Sequence, residues 1–234
     1  MNILITGHSR GLGAALARYY LARGHALYGV ARGSYPHLAA DLREVTCDLR
    51  RLDTIVPALD RLCAPAVALD LVYLNAAMLG RIDHLRATAL ADLQAVMDVN
   101  LWANKLALDW LAARVRPPAQ IILLSSGAAV VGNRGWGSYA LSKATLNMLT
   151  QLYAQEMPHS HLVALAPGLV DTEMQAALRK VDASAFPSLL RLRRAHGSAA
   201  MPGADAAAMR IAAKIPDLIT AVASGSYVDL RTLS

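Results

Sequence analysis

The most constraining stretch of the chain lies at its start. Asn2-Ile3-Leu4-Ile5 is a short apolar run that ends in Thr6-Gly7-His8-Ser9-Arg10-Gly11-Leu12-Gly13. Residues 14–23 follow, with Leu12, Leu16, Tyr19 and Tyr20 at helical spacing and Gly24 as a C-terminal cap. A second apolar run, residues 26–31, comes at once. Strand, glycine turn, helix and strand predict a parallel pair joined by a right-handed crossover. The glycines have separate tasks. Gly7 permits a tight turn, Gly11 lets the backbone approach a pyrophosphate, and Gly13 lets the helix pack closely on the strand. The helix N-terminus then offers N–H groups and a partial positive charge to phosphates.

The alternation continues. Residues 69–74 read as a buried strand ending at Asn75-Ala76-Ala77. Residues 90–100 read as helix, continued by 101–114 and broken at Pro117-Pro118. Residues 121–124 are the next strand. Residues 138–157 form a long helix, with Leu141, Leu146, Leu149 and Leu152 available for its buried side. Residues 162–166 are a strand ending at Pro167-Gly168, 206–215 a helix and 227–230 a last strand. The pattern predicts an α/β fold, a Rossmann-like doubly wound parallel sheet of about seven strands with helices on both faces. No linker interrupts it, so residues 1–234 are expected to form a single dinucleotide-binding and catalytic domain. Residues 172–205 break the alternation with Phe186-Pro187, a basic cluster (Arg191, Arg193, Arg194) and the breakers Gly197 and Pro202-Gly203. A long irregular insert after a strand end is expected to be a substrate lid.

Composition excludes several classes. Hydrophobic residues make up 55%, much of it alanine, yet no apolar run is long enough to span a bilayer, so no membrane association is expected. No signal peptide is visible after Met1. Cys47 and Cys63 make neither a disulfide framework nor a metal site, which fits a reducing cytoplasm. The net charge of +6 suits an anionic cofactor, and no nucleic-acid-binding motif accompanies it. No G-x-S-x-G elbow surrounds Ser125-Ser126, and no HExxH or CxxC occurs, so neither a serine hydrolase nor a metal enzyme is expected.

The chemistry-bearing stretch is Ser138-Tyr139-Ala140-Leu141-Ser142-Lys143. Tyr139 and Lys143 stand at i and i+4 and share one helical face. Ser126 follows the strand Ile121-Ile122-Leu123-Leu124. Ligands of such sheets bind outside the carboxyl ends of the strands, where Gly7, Asn75, Ser126 and Pro167-Gly168 all fall.

These residues resemble the short-chain dehydrogenase/reductase family over essentially the whole chain. The matching positions are Thr6-Gly7-x-x-x-Gly11-x-Gly13, Asn75-Ala76, Asn100, Ser126, Tyr139-x-x-x-Lys143 and Pro167-Gly168-x-Val170-x-Thr172. The resemblance implies hydride transfer between a nicotinamide and a carbonyl or alcohol carbon of a small molecule. Tyr139 is then the proton donor during reduction, and Ser126 holds the substrate oxygen. Lys143 acidifies the phenol and binds the nicotinamide ribose, and Asn100 interrupts its helix to hold a water that links Lys143 to solvent. Lowering a phenol from about 10 by about three units takes roughly 4 kcal/mol. An ammonium about 4 Å away supplies roughly that at an effective dielectric of about 20. Each residue has a plainer reading too: Tyr139 as an interfacial ring, Ser126 as a turn former, Asn100 as a helix cap.

The second predicted strand ends in Val30-Ala31-Arg32-Gly33, without the acid that would bind the ribose of NAD. Arg32 and Arg10 are instead suited to a 2′-phosphate, so NADP (NADPH) is the expected cofactor; the competing reading has both arginines facing water. By the same resemblance Asp48 stands beside the adenine, with helix capping as its alternative. The Leu12 backbone faces the pyrophosphate, Thr172 contacts the carboxamide, and Ser9 also belongs to the cofactor-binding residues. Tyr139 and Lys143, with Pro167, Gly168 and Val170, complete the cofactor-binding set. Where the family shows Ala-Gly after Asn75, this chain has Ala76-Ala77, which matters if that position needs positive φ. Trp136 is a candidate pocket wall or a packing residue. The expected activity is NADPH-dependent reduction of a ketone, aldehyde or diketone. The alternative is a non-catalytic NADP(H)-binding regulator or redox sensor, although such relatives typically lack the tyrosine or lysine. The alanine-rich faces of residues 101–114 and 138–157 suit a homodimer or homotetramer.

Overall fold

The computed structural model describes residues 1–234 except 36, 38, 39, 65, 66, 183–185 and 234. The chain runs β1 (Asn2–Thr6), α1 (Gly11–Leu21), β2 (Ala26–Ala31), β3 (Leu42–Thr46), α2 (Ile55–Leu62), β4 (Leu71–Leu74) and α3 (Leu90–Met97). It continues through α4 (Ala103–Ala112), β5 (Gln120–Leu124), α5 (Gly137–Glu156), β6 (His161–Ala166), α6 (Glu173–Arg179), α7 (Ser188–Ala195), α8 (Ala204–Ala221) and β7 (Tyr227–Asp229). The strands form one seven-stranded sheet in the order β3-β2-β1-β4-β5-β6-β7, and every pair is parallel. From β1 the chain winds outward to β3, then crosses back to β4 and winds the other way. The carboxyl ends of β1 and β4 therefore flank the switch point, the place where sheets of this kind bind ligands.

Both faces of the sheet are covered. Leu4, Val72, Ile121, Leu123 and Leu162 pack under α2, α4 and α5. Ile3, Ile5, Tyr73, Ile122 and Val163 pack under α1 and α8. The alternation of Ile3, Leu4 and Ile5 between the two cores follows from the period of two along a strand. A third cluster, of Leu178, Phe186, Leu189, Leu192 and Met201, belongs to residues 173–201. Among the described residues no helix is long and apolar enough to cross a membrane.

The structure departs from the sequence reading in four places. β3 carries Arg43 and Glu44 on an exposed edge and has no apolar run to announce it. The segment read as irregular holds α6 and α7, whose leucines have their own small core; its residues 183–185 lie outside the described residues. Helix α8 passes through Pro216 rather than stopping before it, because Leu218 is still anchored in the core. The buried side of α5 also differs. Leu146 is buried and Leu149 half-buried, but Leu141 and Leu152 face outward. Ser138, Ser142, Lys143, Asn147 and Thr150 point inward instead.

Candidate active site

The turn between β1 and α1 has the shape its glycines require. Gly7 and Gly11 have φ of +74° and +55°, which L side chains rarely adopt. A Cβ at Gly13 would lie 2.1 Å from the Gly7 carbonyl oxygen and 2.6 Å from Asn75 Nδ2, so only glycine fits there. Asn75 in turn donates to the carbonyls of Thr6 (3.0 Å) and Gly7 (3.3 Å), tying the end of β4 to that of β1. Thr6 Oγ1 accepts the backbone N–H groups of Asn75 and Ala76 at 3.0 and 3.1 Å. No side chain caps the N-terminus of α1, and its first turn carries no acid. This cradle fits the pyrophosphate of a dinucleotide: glycines leave the approach clear and helix N–H groups face it.

Other cofactor candidates converge on the same edge. The Thr172 methyl lies 3.6 Å from where a Gly11 Cβ would stand, so the segment after β6 meets the glycine turn. Arg210 of α8 donates to the Pro167 carbonyl at 2.9 Å, Gly168 has φ +80°, and Val170 is buried. Ser9 and the half-buried Leu12 lie on the turn, and Ser9 Oγ is 3.9 Å from a Cβ placed on Gly33. Arg10 pairs with Glu173 of α6 at 3.1 Å, both side chains largely exposed. Arg32 is exposed at the end of β2. Asp48 grips Arg50 and accepts its backbone N–H, and these hydrogen bonds hold its carboxyl below the usual range, with Arg32 adding a smaller pull. Asp48 therefore closes a turn rather than capping a helix. Ala77 has no positive φ, since among the described residues only glycines do, so its methyl introduces no backbone strain.

Ser126, Tyr139 and Lys143 come together where β5 ends and α5 begins. Ser126 Oγ accepts the Ala128 N–H at 3.2 Å and lies near enough to the Tyr139 phenol to influence its acidity. Lys143 is 2% exposed, and its Nζ donates to the Leu124 carbonyl at 2.6 Å. Nζ lies 5.7 Å from the centroid of the Tyr139 ring. Burial pushes the Lys143 ammonium down to about 7. Burial also raises the Tyr139 phenol, and the Ser126 hydroxyl works against that rise. The sequence estimate had Lys143 lowering the phenol. Here the lysine is turned onto a carbonyl, and burial is the largest influence on both groups.

Asn100 sits in a π-helical turn, Asp98–Trp102, between α3 and α4, so the helix is interrupted at this residue. Its side chain is fully enclosed. Oδ1 accepts the Met78 N–H at 2.8 Å, and Nδ2 donates to the Met78 carbonyl (2.8 Å) and to Ser142 Oγ (2.9 Å). The Asn100 carbonyl, displaced from the α-helical ladder, accepts Asn104 Nδ2 at 2.8 Å. Above the site Trp136 donates Nε1–H to Ser188 Oγ at 2.8 Å, and its ring centroid lies 6.4 Å from that of Tyr139. Trp136, like Leu79, Ile82 and Leu169, packs against the cluster that holds Phe186, so it is a packing residue beside Tyr139.

Residues 1–183 match the family model described as short chain dehydrogenase. The chain belongs to the short-chain dehydrogenase family. A benzil reductase of Bacillus subtilis that forms (S)-benzoin is 27% identical over 216 residues, covering 86% of this chain and 88% of that one. A benzil reductase of Saccharomyces cerevisiae is 31% identical over 198 residues, covering 76% and 74%. Among solved structures, a Saccharomyces cerevisiae short-chain dehydrogenase/reductase superposes with a TM-score of 0.87 at 22% identity, covering 98% and 95%. The KRED1-Pglu enzyme gives 0.85 at 25% identity, covering 97% and 100%.

As a short-chain dehydrogenase the protein is an oxidoreductase of C=O and CH–OH groups on small molecules, and its family uses a nicotinamide dinucleotide. Some residues of this dehydrogenase's site carried no sequence signal. Ser142 accepts from Asn100 and donates to the Tyr139 carbonyl at 2.8 Å, locking the turn that presents the phenol. Asn104 and the inward face of α5 are equally silent, because an inward polar residue on an alanine-rich helix looks like an outward one.

Proposed function

We propose that the protein is an NADPH-dependent carbonyl reductase whose preferred substrates are apolar ketones and 1,2-diketones. The observation that carries this reading is the convergence of Ser126 and Tyr139 beside the buried Lys143, at the strand edge that also bears the glycine cradle. A nicotinamide bound along that edge supplies the hydride to the carbonyl carbon. Ser126 holds the carbonyl oxygen, and Tyr139 gives it a proton. Burial keeps the phenol protonated but makes it a weaker acid, so drawing it toward the useful range falls to Lys143 and to the positive charge that the nicotinamide gains on giving up its hydride. Lys143 then stands close enough to support the phenolate. The Asn100 carbonyl, freed by the π turn, has a second lone pair for a water that returns the proton through Lys143. The Asn100 side chain is fully engaged and serves to fix that turn.

Residues 1–234 act as one catalytic unit, with 172–205 as the lid. The apolar group of Leu79, Ile82, Trp136, Leu169 and Phe186 supports an apolar substrate, and the reduction of benzil by two relatives supports a diketone. Arg32 binds the 2′-phosphate, and Arg10 joins it on leaving Glu173. A screen of NADPH oxidation across aldehydes, ketones, diketones and quinones, with NADH as control, tests the reading. Diketones should be turned over fastest, and NADPH should be preferred. Arg32→Asp should weaken NADPH by about tenfold or more, since a charge-assisted contact to phosphate becomes a repulsion. Tight NADPH binding without turnover of any class would favour a regulatory protein instead.

The exposed apolar residues Trp102, Leu141, Met148 and Leu152 lie at or on α4 and α5. They support a homo-oligomer that pairs these helices. Sedimentation is expected to show a dimer or tetramer, and a monomer at micromolar concentration would remove this part of the proposal.

A further inference from the structure

Glu44 stands on the edge strand β3, opposite Gly29 of β2. His8 leaves the glycine turn and is fully buried. Its imidazole lies over Gly29, where any Cβ would come within 2.5 Å of ring atoms. The missing side chain lets the ring cross β2 and reach Glu44, with Nε2 2.7 Å from Oε2. Nδ1 is enclosed without a partner, which suits a bare lone pair, so Nε2 carries the proton and donates it. The same Oε2 accepts the Tyr35 backbone N–H at 2.9 Å. Partial burial pushes Glu44 upward, but His8, Tyr35 and Ser34 together outweigh it and hold the group below the usual carboxylate range.

Glu44 thereby joins two separate pieces of backbone. One is the glycine turn, through His8. The other is the segment after β2, through Tyr35, three positions beyond Arg32. We propose that Glu44, acting through His8 and Tyr35, is the positioning residue that sets the protein's preference for NADPH over NADH. The inference rests on the assignment of Arg32 to the 2′-phosphate. A guanidinium on a segment already ordered loses less freedom on gripping a phosphate. NADH carries no phosphate at that position and gains little from the same order. Glu44 touches neither cofactor nor substrate in this account.

Titrations of the full chain with NADPH and with NADH, followed by nicotinamide fluorescence, test the proposal. Glu44→Ala should weaken NADPH by about tenfold and NADH by less than about threefold. Glu44→Gln retains an oxygen that accepts from Tyr35 and His8, so it should hold the NADPH-to-NADH ratio within about threefold of the parent. Equal weakening of both cofactors by Glu44→Ala would show a merely structural part and overturn the proposal. An unchanged ratio would overturn it too. Tighter NADPH binding in either variant would mean that Glu44 repels the phosphate, which also overturns it. Arg32→Ala separates the two levels of the argument. If it abolishes the preference while Glu44→Ala leaves it intact, only the role of Glu44 fails. If Arg32→Ala leaves the preference intact, the 2′-phosphate assignment fails and takes this inference with it.

Discussion

Lys143→Met is expected to stabilise the cofactor-free protein and to silence it. Lys143 is 2% exposed and makes its hydrogen bond to the Leu124 carbonyl. Burial lowers its ammonium from 10.5 to about 7. In the unfolded chain the lysine stays charged up to about pH 10.4. Between these values the unfolded state binds the extra proton, so stability rises with pH across that window. Below about pH 7 both states are protonated and the full penalty applies. A drop of that size corresponds to about 5 kcal/mol as an upper limit. The bond to Leu124 offsets part of it, so a methionine of similar reach should gain about 1–3 kcal/mol near neutral pH. Thermal melts across the neutral-to-alkaline range should show a higher midpoint for the variant and the loss of the alkaline rise. Turnover should fall by about 10²–10³-fold, the scale for losing one electrostatic support of a reacting oxygen. A less stable variant, or one that keeps the pH slope, would show that the lysine is not a strained buried charge.

Tyr139→Phe should have the larger kinetic effect. The phenol lies by Ser126, and its ring faces Trp136 and Lys143. Phenylalanine preserves the ring and its packing while removing the only atom that can give a proton. The proton donor of a carbonyl reduction is worth about 10²–10⁴-fold in rate. The variant should lose that much in kcat, with NADPH affinity within about threefold of the parent, since the cradle is elsewhere. A matched loss in NADPH affinity would instead place Tyr139 in cofactor binding.

The features legible in the sequence were those with a local period or a fixed conformational need. Gly7 and Gly11 take positive φ, and a Cβ at Gly13 has no room. Tyr139 and Lys143 share a face of α5 because helical spacing demands it. The illegible parts depend on distant partners. β3 is an edge strand, so its charged residues carry no apolar alternation, and Glu44 gains a meaning only once His8 crosses Gly29. The π turn at Asn100 is fixed by Met78 and Ser142, far from it in sequence. The burial around Tyr139 and Lys143 was illegible for a related reason: distant elements enclose both groups, and that raises the phenol and lowers the ammonium in the cofactor-free protein. The leucines of α5 misled because a helix that lines a polar site presents its serines and lysine inward and its apolar residues outward.

Transfer of a label tests the central claim most directly. NADPH deuterated at the transferable position is incubated with a 1,2-diketone and either the parent or Tyr139→Phe, and the hydroxyketone is weighed by mass spectrometry. The account predicts deuterium on the carbinol carbon with the parent and almost no product with the variant, although the variant still binds NADPH. Labelled product formed at a comparable rate by Tyr139→Phe would contradict it.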